Sequence, residues 1–229
     1  MNRLGADERI DVVSALVEGH TIRAAAQATG VARMTVERLL RDIGEACRRM
    51  QDERARSVRS KRVRCDEIWS FAAGGPRSPA AALSNTHPGA GDAWTWTAVD
   101  TDSRLLLWWM VGRRDAPTAR RFLAGVSARL ASRVRLTTDG PAVHLEAVDG
   151  LSGDDIDSAT LARIYGAVRA PATSRPDRKI EMHGRCVALH AAHYNFCQIH
   201  PALRVTPAMQ AGISNHVWSL EELVVLLGP

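Results

Sequence analysis

Apolar positions near the start of the chain recur at helical spacing. Ile10, Val13, Leu16 and Val17 predict an amphipathic helix ending at Gly19. Ile22 to Ala28 predicts a second, short helix. Gly30 then supplies the positive-φ residue of a tight turn. Met34 to Ile43 predicts a third helix, with Val36, Leu39, Leu40 and Ile43 on one face. Beyond residue 64 the period changes. Arg64 to Phe71, Trp94 to Val99 and Arg104 to Val111 read as strands, with a long loop over 72–93 and a polar turn at Asp100–Ser103. Ala116 to Leu130 is apolar at helical spacing behind Pro117, a good first-turn residue. Val134 to Thr138 is a fourth strand running into Asp139-Gly140. Lys179 to Cys197 predicts a long helix, and Ser219 to Glu222 is a capping box opening a terminal one.

Composition narrows the class. The chain has 229 residues, 45% hydrophobic, enough for a packed core. Its strongest apolar run, Leu105 to Val111, is far too short to span a bilayer. No secretory leader pattern opens the sequence, so the expectation is a cytoplasmic protein with no membrane partner. Cys47, Cys65, Cys186 and Cys197 have no C-x-x-C spacing and read as buried free thiols. Charge is concentrated. Residues 1–47 carry 6 basic and 7 acidic side chains, residues 65–229 carry 16 of each, and residues 48–64 carry 8 basic against 2 acidic. Such a joint suits a polyanion. The division expected is a helical DNA-binding domain over 1–47, a basic linker over 48–64 and an α/β domain over 65–229.

The first block is read as a helix-turn-helix, whose second helix enters a DNA major groove. Ala26, four residues before Gly30, is the small residue expected where the two helices cross, with Val31 and Val36 filling the space between. Arg33, Thr35, Arg38 and Arg41 are the side chains aimed at DNA. From the joint, Arg59, Lys61, Arg62 and Arg64 are expected on phosphate.

The first strand poses a question, because C-D-E-I-W-S-F opens with two carboxylates where a core is expected. The order β, β, β, α, β, with an aspartate near the start of the first strand and another after the fourth, is that of a ribonuclease H-like fold. There the strand after the helix lies beside the first, so Asp66 would neighbour Asp139 at a sheet rim. Two close carboxylates repel, and a divalent cation relieves this. Hard oxygen ligands suit Mg²⁺ or Mn²⁺, and a two-ion site can serve phosphodiester chemistry. Strand alternation puts Glu67 on the other face, where an Arg partner is expected.

With these residues together, the chain resembles the insertion-sequence-one family of bacterial transposases. The likeness rests on the N-terminal helices, on D-E-I-W-S-F, on G-D-A-W-T-W-T-A-V-D-T-D-S-R-L, on L-T-T-D-G and on H-Y-N-F-C-Q-I-H-P-A-L-R-V-T-P-A-M-Q-A-G. It implies a D-D-E catalytic triad in which Asp66 and Asp139 match the two aspartates. It implies binding to terminal inverted repeats and target DNA, cleavage and strand transfer, and it is compatible with a homo-oligomer. The family's third acid lies in a stretch like Y-V-E-R-x-N, which this chain lacks. Ala170 to Arg178 looks like the seam of a deletion that removed it. Glu181 then has two readings, a replacement ligand or a solvent-facing residue in the first helical turn, and the second is preferred. The expected function is a transposase impaired in catalysis, or a non-catalytic DNA-binding regulator derived from one.

Other groups are assigned to structure. His183, His190 and His193 lie close to one helical face but lack a fourth ligand for zinc. Trp94 and Trp96 share a strand face, while Trp108 and Trp109 point opposite ways, one of them toward a helix layer.

Overall fold

A computed structural model describes residues 4–71, 92–131, 134–138, 146–147 and 178–228. They form a mixed α/β protein with two compact units. One gathers Met1–Arg56, Ser103–Leu106 and Gly184–Pro229; the other gathers Ser57–Asp102 and Leu107–His183. These units differ from the division expected from sequence. The first runs on to residue 56, and the C-terminal segment belongs with it.

The first unit begins with α1 (Ala6–Val17), α2 (Ile22–Thr29) and α3 (Arg33–Arg54). Glu8 accepts from the Gly5 backbone N–H at 2.8 Å, which caps α1. Thr21 Oγ1 accepts from the Ala24 N–H and starts α2, which ends where Gly30 turns left-handed at φ +70°. The buried alanine of α2 is Ala25, on the face of Ile22 and Thr29; Ala26 is only half-buried, so the expected crossing residue is displaced by one.

The third helix does not stop at Ile43. Val36, Leu40, Ile43, Cys47 and Met50 are all buried at alternating steps of four and three, one face of one continuous helix. Residues 48–54 of the basic stretch are therefore helix, and residues 62–64 already belong to a strand. Gly44 sits inside α3 because another backbone lies against it. A Cβ there would fall 2.6 Å from the Arg185 carbonyl oxygen and 2.9 Å from its Cα. We expect Gly44→Val to lower the unfolding free energy by about 1–3 kcal/mol through overpacking, read as a lower urea midpoint, despite glycine's poor helix propensity.

Arg185 belongs to α5 (Arg178–Ala192), which continues into a π-helical turn, His193–Cys197. Two short helices follow, α6 (Pro207–Gln210) and α7 (Leu220–Val225). The capping box is formed as expected: Glu222 accepts from Ser219 N–H at 2.9 Å and Ser219 Oγ from Glu222 N–H at 3.3 Å. Trp218 packs on Phe196 at 5.0 Å between centroids, and the Arg54 guanidinium lies 4.9 Å from its ring centre.

The second unit is built on a five-stranded sheet in the order β3-β2-β1-β4-β5. The strands are β1 (Arg62–Phe71), β2 (Asp92–Asp100), β3 (Leu106–Gly112), β4 (Val134–Thr138) and β5 (Glu146–Ala147). Antiparallel pairing joins β1 to β2 and β4 to β5, whereas β1 and β4 run parallel. The strand after the helix does return beside the first. Between β3 and β4 lies α4 (Ala116–Ser127), capped by Asp115, which accepts from Thr118 N–H at 2.9 Å. It ends three residues before the expected Leu130. Phe122 of α4 meets Trp96 at 5.6 Å, and Gly125 leaves room for the indole of Trp108. Trp108 is therefore the tryptophan that faces a helix, and Arg129 lies 3.6 Å from its ring centre.

Candidate functional site

Register assigns the faces of β1. Val63, Cys65 and Glu67 share one face with Asp100, Ala98 and Trp96 of β2. Val63, Cys65, Ala98 and Trp96 are buried there. Arg64, Asp66 and Ile68 project from the other face, opposite Val99, Thr97 and Thr95. The two adjacent acids are thus separated by the pleat onto opposite faces of the sheet.

Glu67 is a structural acid. Arg114 Nε donates to its Oε2 at 2.8 Å, and the same guanidinium lies 5.4 Å from the centre of the Trp94 ring. An ionised carboxylate on a largely covered face is accepted because an arginine meets it. Cys65, beside it, is buried. Burial, with Asp66 and Glu67 adding to it, pushes its thiol up to about 12. Burial likewise carries Cys47 and Cys197 to about 12.

Asp66 lies on the opposite face of β1 from Glu67. Its side chain is partly exposed, at 27%. Arg64, two residues earlier on the same face, puts Nε at 3.1 Å from both carboxylate oxygens. Beneath the side chain the backbone is fixed, since Thr97 Oγ1 donates to the Asp66 carbonyl at 3.3 Å. Its expected partner, Asp139, lies outside the described residues. The last residue of β4, Thr138, is in parallel register with Cys65, the residue before Asp66.

The basic residues divide between the two units. Arg33 and Arg38 on α3 are exposed, Thr35 is half-buried, and Arg41 is part-covered with Glu37 at 4.0 Å. In the second unit Arg59 and Lys61 are exposed, Arg62 reaches Asp102 at 3.1 Å, and Arg64 holds Asp66. Arg48, also counted in the basic joint, is taken by Glu45 at 2.6 Å and Asp52 at 3.1 Å. A surface pair such as Arg62–Asp102 is weak and yields to a phosphate.

Glu181 is exposed in the first turn of α5, where negative charge suits the helix dipole. The expected deletion seam lies outside the described residues up to residue 177. His183 Nε2 meets Thr95 Oγ1 at 2.9 Å, and His190 Nδ1 meets the Cys186 carbonyl at 2.9 Å. Burial lowers the pKa of His183; burial, then the neighbouring His190, lowers that of His193. Among the described residues no three His, Cys, Asp or Glu side chains converge as a metal site. The pairing of Arg64 with Asp66 was open to sequence reasoning, since R-x-D on a strand puts both charges on one face.

No protein-family model matches the chain, and no curated protein does. Among solved structures it is similar to the crystal structure of the Mos1 strand transfer complex, at 13% identity over 70% of this chain and 56% of that one, with a TM-score of 0.24. A pre-cleavage Mos1 transpososome is similar at 13% identity over 55% of this chain and 47% of that one, with a TM-score of 0.18. The chain therefore spans only about half the length of those chains. Similarity at that level sets neither the fold nor the function of this protein. Among the described residues no helix is long and apolar enough to cross a membrane.

Proposed function

We propose that the chain is a transposase-like protein that binds double-stranded DNA through α2, the Gly30 turn and α3. Its sheet would be ribonuclease H-like, with Asp66 and Asp139 as the surviving pair of a D-D-E set. The observation that carries this is the parallel register of β1 and β4, Cys65 opposite Thr138. In the sequence each of these two residues is followed by an aspartate, Asp66 and Asp139. The strand order β3-β2-β1-β4 supports the same reading, as does the family resemblance of the motifs.

The chemistry of the described half of the site fits a cation. Asp66 is a partly exposed oxygen donor, and a guanidinium already stands on it as a stand-in positive charge. Asp66 and Asp139 would hold Mg²⁺ or Mn²⁺, which supplies charge stabilisation at a phosphodiester oxygen. Around it, Arg62 and Arg64 would neutralise the DNA backbone, and Arg33, Thr35, Arg38 and Arg41 would set the register on the duplex. The second reading, a non-catalytic regulator that occupies the same DNA, is favoured by one observation: the chain has no Y-V-E-R-x-N stretch, and Glu181 is an exposed first-turn residue.

One experiment separates these. The full chain is bound to a labelled duplex, followed by fluorescence anisotropy, and Mn²⁺ is then added. We expect Arg38→Ala with Arg41→Ala to weaken binding at least tenfold, given roughly 1–3 kcal/mol for a well-made base contact. Unchanged binding would remove α3 from the interface. Little or no cleavage is expected. Robust cleavage lost in both Asp66→Asn and Glu181→Gln would instead make Glu181 the third ligand and the chain a working transposase.

A further inference from the structure

The Arg64–Asp66 pair joins the two halves of that proposal. Both side chains leave the same face of β1, and one N–H of Arg64 bridges both oxygens of Asp66 at 3.1 Å. The Arg64 side chain is 54% exposed, twice the 27% of Asp66. A solvent-borne anion can therefore reach the guanidinium more readily than a cation can reach the carboxylate.

We propose that Arg64 gates cation binding at Asp66, and that a DNA phosphate opens the gate. The inference rests on reading Asp66 as a cation ligand. A divalent ion needs lone pairs that the Arg64 N–H occupies, and it meets a like charge only a few ångströms away. A phosphate competes for the same guanidinium and offers it a bidentate partner. Each ligand thus removes the group that opposes the other. By linkage, bound DNA raises cation affinity by the factor by which bound cation raises DNA affinity. Without DNA the carboxylate is closed, so the ion is recruited where a phosphodiester is present. An exposed pair is weak, which keeps the expected factor to about three- to tenfold. A lysine in place of Arg64 keeps the charge and loses only the fork geometry.

The test follows free Mn²⁺ by electron paramagnetic resonance during titration into the full chain. The proteins are the wild type, Arg64→Gln, Arg64→Lys and Asp66→Asn. Without DNA, Arg64→Gln is expected to bind Mn²⁺ about three- to tenfold more tightly than the wild type, Arg64→Lys to stay near it, and Asp66→Asn to lose the ion. On a short duplex, with the ion bound by DNA alone subtracted, the wild type should tighten by the same factor and Arg64→Gln should not. If Asp66→Asn loses the ion but Arg64→Gln binds it like the wild type, the gate is overturned and the cation reading stands. If Arg64→Gln tightens but DNA leaves the wild type unchanged, phosphate is not the opener and the proposal falls. If Asp66→Asn binds Mn²⁺ as the wild type does, or no form binds it in either condition, the cation reading fails and takes the gate with it.

Discussion

Asn195→Leu is expected to destabilise the protein by about 2–4 kcal/mol, because it strips two backbone groups of their partners. Asn195 is 2% exposed, in the π-helical turn after α5. Its Oδ1 accepts from the Leu106 N–H at 2.9 Å and its Nδ2 donates to the Leu106 carbonyl at 2.9 Å. The amide thus pairs with one residue of β3 as a neighbouring strand would. A second, longer bond runs from Nδ2 to Gln51 Oε1 at 3.4 Å, and Gln51 Nε2 donates to the carbonyls of Cys47 and Ala188, each at 3.2 Å. Leucine has nearly the same volume, so cavity formation is a minor part of the cost. What is lost is the pairing of a part-buried donor and a part-buried acceptor, each costing up to roughly 1–3 kcal/mol when left unmade. Urea unfolding followed by circular dichroism measures it, with an unchanged slope and a lower midpoint. Asn195→Asp should be no better, since it keeps an acceptor for the Leu106 N–H but turns oxygen toward two other oxygens. A leucine variant within 0.5 kcal/mol of the wild type would show the network to be ornamental.

That network marks the limit of what could be read from residues alone. Local rules carried far. The period of two separated Asp66 from Glu67 and sent Glu67 to an arginine, which is Arg114. Pro117, Gly30 and the Ser219–Glu222 box marked helix ends because their backbone chemistry is local. The return of β4 beside β1 followed from element order. Long-range pairings were beyond reach. Asn195 and Leu106 are 89 positions apart, and Asn195 stands within an apolar run that predicts only packing. The third helix was expected to end at Ile43, but it runs on through Gly44, although an interior glycine weakens a helix. The reason for that glycine, the Arg185 backbone against it, is supplied by a distant part of the chain. The candidate site was half legible. Asp66 was expected at a strand end and lies partly exposed in the middle of β1, and its arginine partner was counted only as a phosphate contact. The charge total over 48–64 concealed a further division, since Arg48 answers Glu45 and Asp52 within α3.

Raising salt from 50 to 200 mM should weaken binding of the full chain to a short duplex by roughly 250- to 1,000-fold. The figure follows from counterion release. If about five phosphates are neutralised, log affinity falls with log salt at a slope near −4 to −5. The structure says which cations can contribute. Arg59 and Lys61 are exposed, and Arg62 and Arg64 meet surface carboxylates, contacts worth about 0–1 kcal/mol that a phosphate can outbid. Arg48 is held by two acids of its own helix and should contribute little. Arg33, Arg38 and Arg41 on α3 contribute to whatever extent they touch phosphate rather than bases. The variant Arg59→Gln with Lys61→Gln should therefore flatten the slope by about 2, and Arg48→Gln should leave it nearly unchanged. Anisotropy titrations at four salt concentrations would measure all three slopes. A flat wild-type salt response would mean that no phosphate is neutralised. The exposed arginines would then be a solvated face, and the cation gate at Asp66 would have no phosphate to open it.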